Sequence, residues 1–290
     1  MQTVGKVFSS EEEARDEFQS QKMIIEEIDP LNEFTAKLIQ KCVVDEFKRS
    51  DEVYKCPYEF VKHPVQVIYE YGGLSYDHIM KNNKPSIVLF KKLLKGLEAV
   101  FIGVLKMHEK GFVHQDIKPH NILYSNRHKH AILIDFGITK KIDDIYIKSN
   151  DYILKHDYPY FPPEFKLKFV ARKGKFLEFK TQVLRNFGTS ALKEIKDVLI
   201  EAGVNFNEDL KHTYQHNEKY TTKIDSYSLG IVLAILLKWM QLPKDCTLLK
   251  KLHSLIALLC HQDSKRRVNI KDAAKLYSEF LRTTRFQVSS

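Results

Sequence analysis

Cysteine is scarce in this chain of 290 residues. Cys42, Cys56, Cys246 and Cys260 are all there are, and they form no CxxC pair and no Cys/His group with zinc spacing. That excludes a disulfide framework and a zinc ribbon, and leaves buried or incidental thiols in a reducing compartment. Long apolar runs are missing too: the longest, Leu229 to Leu237, is too short to span a bilayer. Gln2 to Ser10 has no apolar core, so no signal peptide is expected. Internal repeats and low-complexity linkers are absent, which excludes solenoids and disordered arrays. The expectation is a soluble, intracellular, continuously folded chain with no membrane partner.

What is present suffices for one large domain or two lobes: 43% of residues are hydrophobic. Lys and Arg number 46 against 37 Asp and Glu, a net charge of +9 that favours acidic or phosphorylated partners. Val4 to Phe8 reads as a short strand. Ser9 or Ser10 then caps a helix with an acidic first turn, Glu11 to Glu13, which runs towards Ile28 and stops before Asp29-Pro30. Phe34 to Val44 and Val65 to Tyr71 read as strands, and Gly72-Gly73 as a break after them. Phe90, Leu93, Leu94, Leu97, Phe101, Val104 and Leu105 recur at helical spacing between Ser86 and Lys110. Phe112-Val113, Ile122 to Tyr124 and Ala131 to Ile134 read as short strands. Ser226 to Met240 is apolar nearly all round, as a helix inside a core would be.

One run carries the chemistry. His114-Gln115-Asp116-Ile117-Lys118-Pro119-His120-Asn121 places a carboxylate, an ammonium and an amide at offsets of zero, two and five. Asp135-Phe136-Gly137 adds a second carboxylate fourteen residues after the amide. Phosphoryl transfer needs such a set: a base for the incoming hydroxyl, a cation for the moving phosphate, and oxygen ligands for magnesium. Singly, each residue is better explained as a turn, a cap or a solvated loop side chain. Order and spacing together make the run specific, and it resembles the eukaryotic-type protein kinase family, serine/threonine type.

That resemblance implies an α+β, two-lobed fold: a reduced N-lobe over residues 1–72 and a helical C-lobe over 73–290. It implies ATP and Mg2+ as cofactors, Asp116 as base, Lys118 on the γ-phosphate, and Asn121 and Asp135 as metal ligands. Lys6 corresponds to the strand lysine that grips the α- and β-phosphates, against the alternative of an exposed strand lysine. Glu17 is its expected partner, with Glu13 second, because a gap of eleven residues is short for the family. In Tyr69-Glu70-Tyr71-Gly72, backbone groups of Glu70 and Gly72 would meet adenine and Tyr69 would guard the back of the pocket. Leu123 would lie beneath the base. Pro162-Pro163-Glu164 stands where the family has Ala-Pro-Glu, Arg267 suits the pairing with Glu164, and Asp225 matches the carboxylate that braces the catalytic loop.

Three departures qualify the resemblance. Only five residues precede Lys6, too few for the glycine-rich hairpin that covers the phosphates, so weak nucleotide affinity is expected. Gln115 stands where the family usually has an arginine that answers an activation-segment phosphate, so phosphorylation is not expected to be a strict switch. Glu164 and Asp225 lie 61 residues apart, several times the usual gap. That insert, about 166–221, holds nine basic against two acidic residues from Lys166 to Lys196, with Phe169, Phe176, Phe179 and Phe187 interleaved. It reads either as a docking surface for acidic or nucleic-acid-associated protein substrates or as a solvated extension. Within it, Ser190 to Ala202 reads as a helix closed by Gly203.

The compact start, the Tyr-Glu-Tyr-Gly-Gly link and the Tyr-Pro-Tyr-Phe-Pro-Pro-Glu segment resemble divergent kinases of large nucleocytoplasmic DNA viruses. For such a protein the location would be cytoplasmic, in host cytoplasm or virion. Two other readings stay open: a pseudokinase scaffold and a small-molecule phosphotransferase. The sequence assigns no oligomeric state.

Overall fold

Ser10 decides where the first helix begins. Its hydroxyl accepts from the Glu13 N–H at 3.1 Å, and the acidic turn Glu11 to Glu13 lies at the positive end of helix α1 (Glu11–Glu27). The structure, a computed structural model, describes residues 2–8, 10–43, 65–142, 160–162, 191–204 and 223–284. Helix α1 buries Ala14, Glu17, Gln21 and Ile24, one stripe at helical spacing. That stripe packs near an antiparallel sheet in which β1 (Thr3–Phe8) and β2 (Leu38–Val43) flank β3 (Val65–Glu70). Along β3 burial alternates strictly, so Val65, Val67 and Tyr69 share a small core with Ala14, Ala36 and Ile132.

Phe34 to Lys37 departs from the strand expected there, and Asp29 explains why. Its buried carboxylate accepts from the N–H groups of Glu33, Phe34 and Thr35 at 2.8–2.9 Å, and from the Thr35 hydroxyl at 2.8 Å. Backbone donors held by a carboxylate cannot join a ladder. The segment instead makes a single parallel bridge, Thr35 to Leu133, and the strand starts only at Leu38. Val44, the expected end of that strand, lies outside the described residues.

Helices dominate after Gly73, whose φ of +110° and close approach to the Tyr124 carbonyl leave no room for a side chain. Strand β4 (Leu74–Ser75) leads into α2 (Tyr76–Asn82) and the long α3 (Ile87–Glu109), capped by Ser86. Strands β5 (Phe112–Val113), β6 (Ile122–Ser125), β7 (His130–Leu133) and β8 (Lys140–Lys141) follow. They pair as β4-β6-β7 and β5-β8.

Helix α4 (Ala191–Glu201) ends through Gly203 at φ +90°, where the Val204 N–H reaches the Leu199 carbonyl at 2.9 Å. Its residues Ile195, Val198 and Leu199 enter the main core, followed by Ala202 and Val204. The interleaved phenylalanines of the insert lie outside the described residues. Helix α5 (Ile224–Met240) is buried nearly all round, and α6 (Thr247–Leu259) and α7 (Ile270–Thr283) complete the core. Helix α7 is fastened to α3 by Phe101 and Tyr277, whose rings stack at 4.1 Å, and by the Tyr277 hydroxyl donating to the Leu94 carbonyl at 2.6 Å. No helix among the described residues is long and apolar enough to cross a membrane.

Candidate active site

Asp116 sits in the turn between β5 and β6. Its N–H donates to His114 Nδ1 at 3.1 Å, which fixes His114 as an acceptor on that nitrogen. Its carboxylate receives Lys118 Nζ at 3.0 and 2.8 Å and Asn121 Nδ2 at 2.8 Å. The same Asn121 nitrogen donates to the Asp116 carbonyl at 2.9 Å. Both bonds use the amide nitrogen, so Oδ1 is the Asn121 atom left to meet a cation. The Asn121 carbonyl accepts from the Ile134 N–H at 3.0 Å, which ties this turn to the residue before Asp135.

Asp135 follows β7 in the left-handed region, φ +67°. Its Oδ1 meets Lys6 Nζ at 3.0 Å, and Lys6 reaches Glu17 Oε1 at 3.3 Å. Glu13, the alternative partner, is exposed on another face of α1. Tyr69 donates its hydroxyl to the same Glu17 Oε1 at 3.2 Å. Burial raises the Glu17 carboxyl above its ordinary value, with Asp135 adding to the rise and Lys6 opposing it. Burial works against ionising Asp135 as well, but Lys6, by charge and hydrogen bond, holds it below the ordinary carboxylate range. Burial would depress the Lys6 ammonium, yet Asp135 and Glu17 together raise it.

The remaining expected residues stand to one side of this ionic group. Gly72 is packed so close to Leu123 and Ile132 that a Cβ there would lie 2.9 Å from Leu123 Cδ1 and 2.4 Å from Ile132 Cδ1. Glu70 donates its N–H to the Lys37 carbonyl at 2.9 Å and pairs through its carboxylate with Arg127. Glu70 and Gly72 line a cleft of about 240 Å³ with Asn32, Thr35, Lys37 and Arg127. None of Lys6, Glu17, Asp116 or Asp135 lines it.

Asp225, on α5, holds the turn that carries Asp116 from below. It is fully buried and accepts from the N–H groups of His114 and Gln115, each at 2.9 Å, and lies 2.9 Å from His108 Nε2. Burial opposes its ionisation, but the bond and charge of His108, aided by His114 and the Gln115 N–H, keep its carboxyl below the ordinary value. His108 is a contact that sequence reasoning missed; it lies in the last turn of α3 and meets a residue 117 positions away in the chain. Burial pulls His114 below its ordinary value despite Asp225, Asp116 and Asp135 around it. Arg267 is buried, with Nε donating to the His261 carbonyl at 2.9 Å. Glu164, its expected partner, lies outside the described residues, as does Pro163.

The buried turn that carries Asp116, the lysine that bridges Glu17 and Asp135, and the Asp225 brace beneath the turn stand together as one polar centre. The chain belongs to the protein kinase family: the model of the Protein kinase domain matches residues 3–166. It is 28% identical over 128 residues to a probable serine/threonine-protein kinase, fnkB, of Dictyostelium discoideum, covering 43% of this chain and 24% of that protein. It is 30% identical over 126 residues to a calcium/calmodulin-dependent protein kinase of Metarhizium anisopliae, covering 43% and 29%. Over 78 residues it is 41% identical to the MAP kinase kinase MKK1/SSP32 of Saccharomyces cerevisiae, covering 26% and 15%. The matched stretches span less than a third of each of these relatives.

Proposed function

We propose that the chain is a serine/threonine protein kinase that moves the γ-phosphate of ATP to protein hydroxyls. The observation that carries this reading is the connected set Asp116–Asn121–Ile134–Asp135–Lys6, described above. In this reading Asp116, held by Lys118 and Asn121, accepts a hydrogen bond from the substrate hydroxyl and orients it for in-line attack. Lys118 lies beside that carboxylate and turns its charge to the γ-phosphate. Lys6, fixed by Glu17, holds the α- and β-phosphates. Tyr69, engaged with Glu17, closes the rear of the pocket. Backbone groups of Glu70 and Gly72 meet adenine, and Leu123 lies under it.

Asn121 Oδ1 and the Asp135 carboxylate are hard oxygen donors at neighbouring strand ends, which fits magnesium better than a softer metal. Bound there with nucleotide, Mg2+ would neutralise charge on the phosphates. The name of the Dictyostelium discoideum relative, a probable serine/threonine-protein kinase, supports that class.

Residues 1–72 would form the reduced N-lobe and 73–290 the C-lobe. The basic insert, about 166–221, would dock acidic or nucleic-acid-associated protein substrates, and the cytoplasm would be the site of action, in host or virion for a viral kinase. Neutralising four insert lysines should then raise the KM for protein substrates and flatten its salt dependence. An unchanged KM and salt slope would remove the docking role.

The decisive assay incubates the protein with labelled ATP, magnesium and mixed protein substrates beside Asp116→Asn. Label on Ser and Thr that drops at least about a hundredfold in the variant supports the kinase. Nucleotide binding without transfer by the unaltered protein would mean a pseudokinase scaffold. Transfer to small molecules alone would mean the third class.

A further inference from the structure

Gln115 does more than occupy the place of an arginine. Strands β5 and β8 pair antiparallel, Phe112 with Lys141 and Val113 with Lys140. The same register continues past both ends. At one end the Ile142 N–H donates to the Gly111 carbonyl at 2.8 Å. At the other it places His114 opposite Thr139 and Gln115 opposite Ile138. Hydrogen-bonded pairs alternate along an antiparallel ladder, so Gly111–Ile142, Val113–Lys140 and Gln115–Ile138 are the bonding positions.

The last of these is not made by backbone. Gln115 adopts φ +69°, and its N–H is turned to Asp225 Oδ1 at 2.9 Å. Its side chain supplies the missing donor instead: Nε2 reaches the Ile138 carbonyl at 2.8 Å. Between the two rungs, the Thr139 hydroxyl approaches the His114 carbonyl at 3.5 Å.

We propose that Gln115 is a positioning residue whose carboxamide completes the β5–β8 ladder and pins the segment after Asp135-Phe136-Gly137 to the catalytic turn. This rests on the kinase reading for its effect on rate. The tether is neutral, so it needs no phosphate to hold it. One side chain thus spans both halves of the centre. Its backbone is fixed by Asp225 beneath Asp116, and its amide is fixed to the residue three beyond Asp135.

The test measures amide exchange and transfer on the same preparations of the full chain, Gln115→Ala and Gln115→Glu. In Gln115→Ala, exchange at Thr139, Lys140 and Ile142 should quicken about three- to tenfold, the worth of one neutral hydrogen bond, while α3 and α5 stay protected. The kcat should fall by a similar factor with both KM values within about twofold. Gln115→Glu sets a carboxylate against the Ile138 carbonyl. Its deficit relative to the unaltered protein should be larger at about pH 8 than near pH 5, because partial burial against that carbonyl raises the carboxyl above its ordinary value and lets the protonated form donate again. Phosphatase treatment of the unaltered protein should leave its rate within about twofold.

Unchanged exchange at Thr139 to Ile142, a deficit in Gln115→Glu that is flat with pH, or a rate abolished by phosphatase would overturn the tether. An unaltered protein that transfers nothing, while Gln115→Ala still loosens Thr139 to Ile142, would remove the kinase reading and leave the tether in place.

Discussion

Glu17 carries two partners on one oxygen, and that makes Tyr69 a measurable part of the centre. Burial and the Glu17 charge push the Tyr69 phenol far above its ordinary value, so it remains a donor at any working pH. Tyr69→Phe should lower stability by about 0.5–1.5 kcal/mol, read from the urea midpoint. His114 gives a pH signature. Its folded pKa lies below the ordinary 6.5, so the unfolded chain binds the proton more readily. The stability involved is fully present above pH 6.5 and is lost as pH falls below it through the lower folded value. The melting temperature should therefore drop as pH falls below about 6.5, and His114→Asn, which keeps an acceptor for the Asp116 N–H, should flatten the drop. An identical drop in that variant would assign it to other groups.

Among the elements, helix α3 shows how tightly the centre is supported. Gly103 faces Phe34, and a Cβ there would sit 2.3 Å from the Phe34 ring. Alanine gains about 1 kcal/mol of helix propensity, but overpacking costs about 1–3 kcal/mol. Gly103→Ala should thus destabilise the protein, lowering the urea midpoint, although the same change in an exposed helix would raise it.

Elements with local signals were legible in the sequence: Ser10 and Ser86 mark helix starts, and the apolar stripe of α3 follows its spacing. Helix α2 was not, because only Tyr76 and Ile79 of its seven residues are buried, too few to show a period. Of the strand expected from Phe34 to Val44, Leu38 to Val43 formed, while its start failed because a carboxylate outside the window, Asp29, takes the Phe34 and Thr35 donors. In the centre, the run from Asp116 to Asn121 could be read because it is contiguous. The Gln115–Ile138 and His108–Asp225 contacts could not, since they depend on the register of distant segments.

Across the molecule, Asp225 is where the catalytic turn, α3 and α5 meet. Asp225→Ala would leave two buried N–H groups and His108 without their acceptor, at a cost of about 3–5 kcal/mol. Denaturant titration should show that loss, and transfer should fall even where the chain remains folded. The folded carboxyl lies below 3.8, so its contribution holds at neutral pH and is lost only as pH falls through the folded value.

Asp29 has a different consequence, one of time. All its partners lie four to six residues ahead in the chain, so the cluster closes as a short loop, on the order of 10–100 ns, before any strand pairing. It then presents the Phe34 carbonyl to the Leu133 N–H, at 2.7 Å, joining segments a hundred residues apart. Asp29→Ala should then slow refolding more than it speeds unfolding in a stopped-flow denaturant series, and a change confined to the unfolding arm would place the cluster after the rate-limiting step.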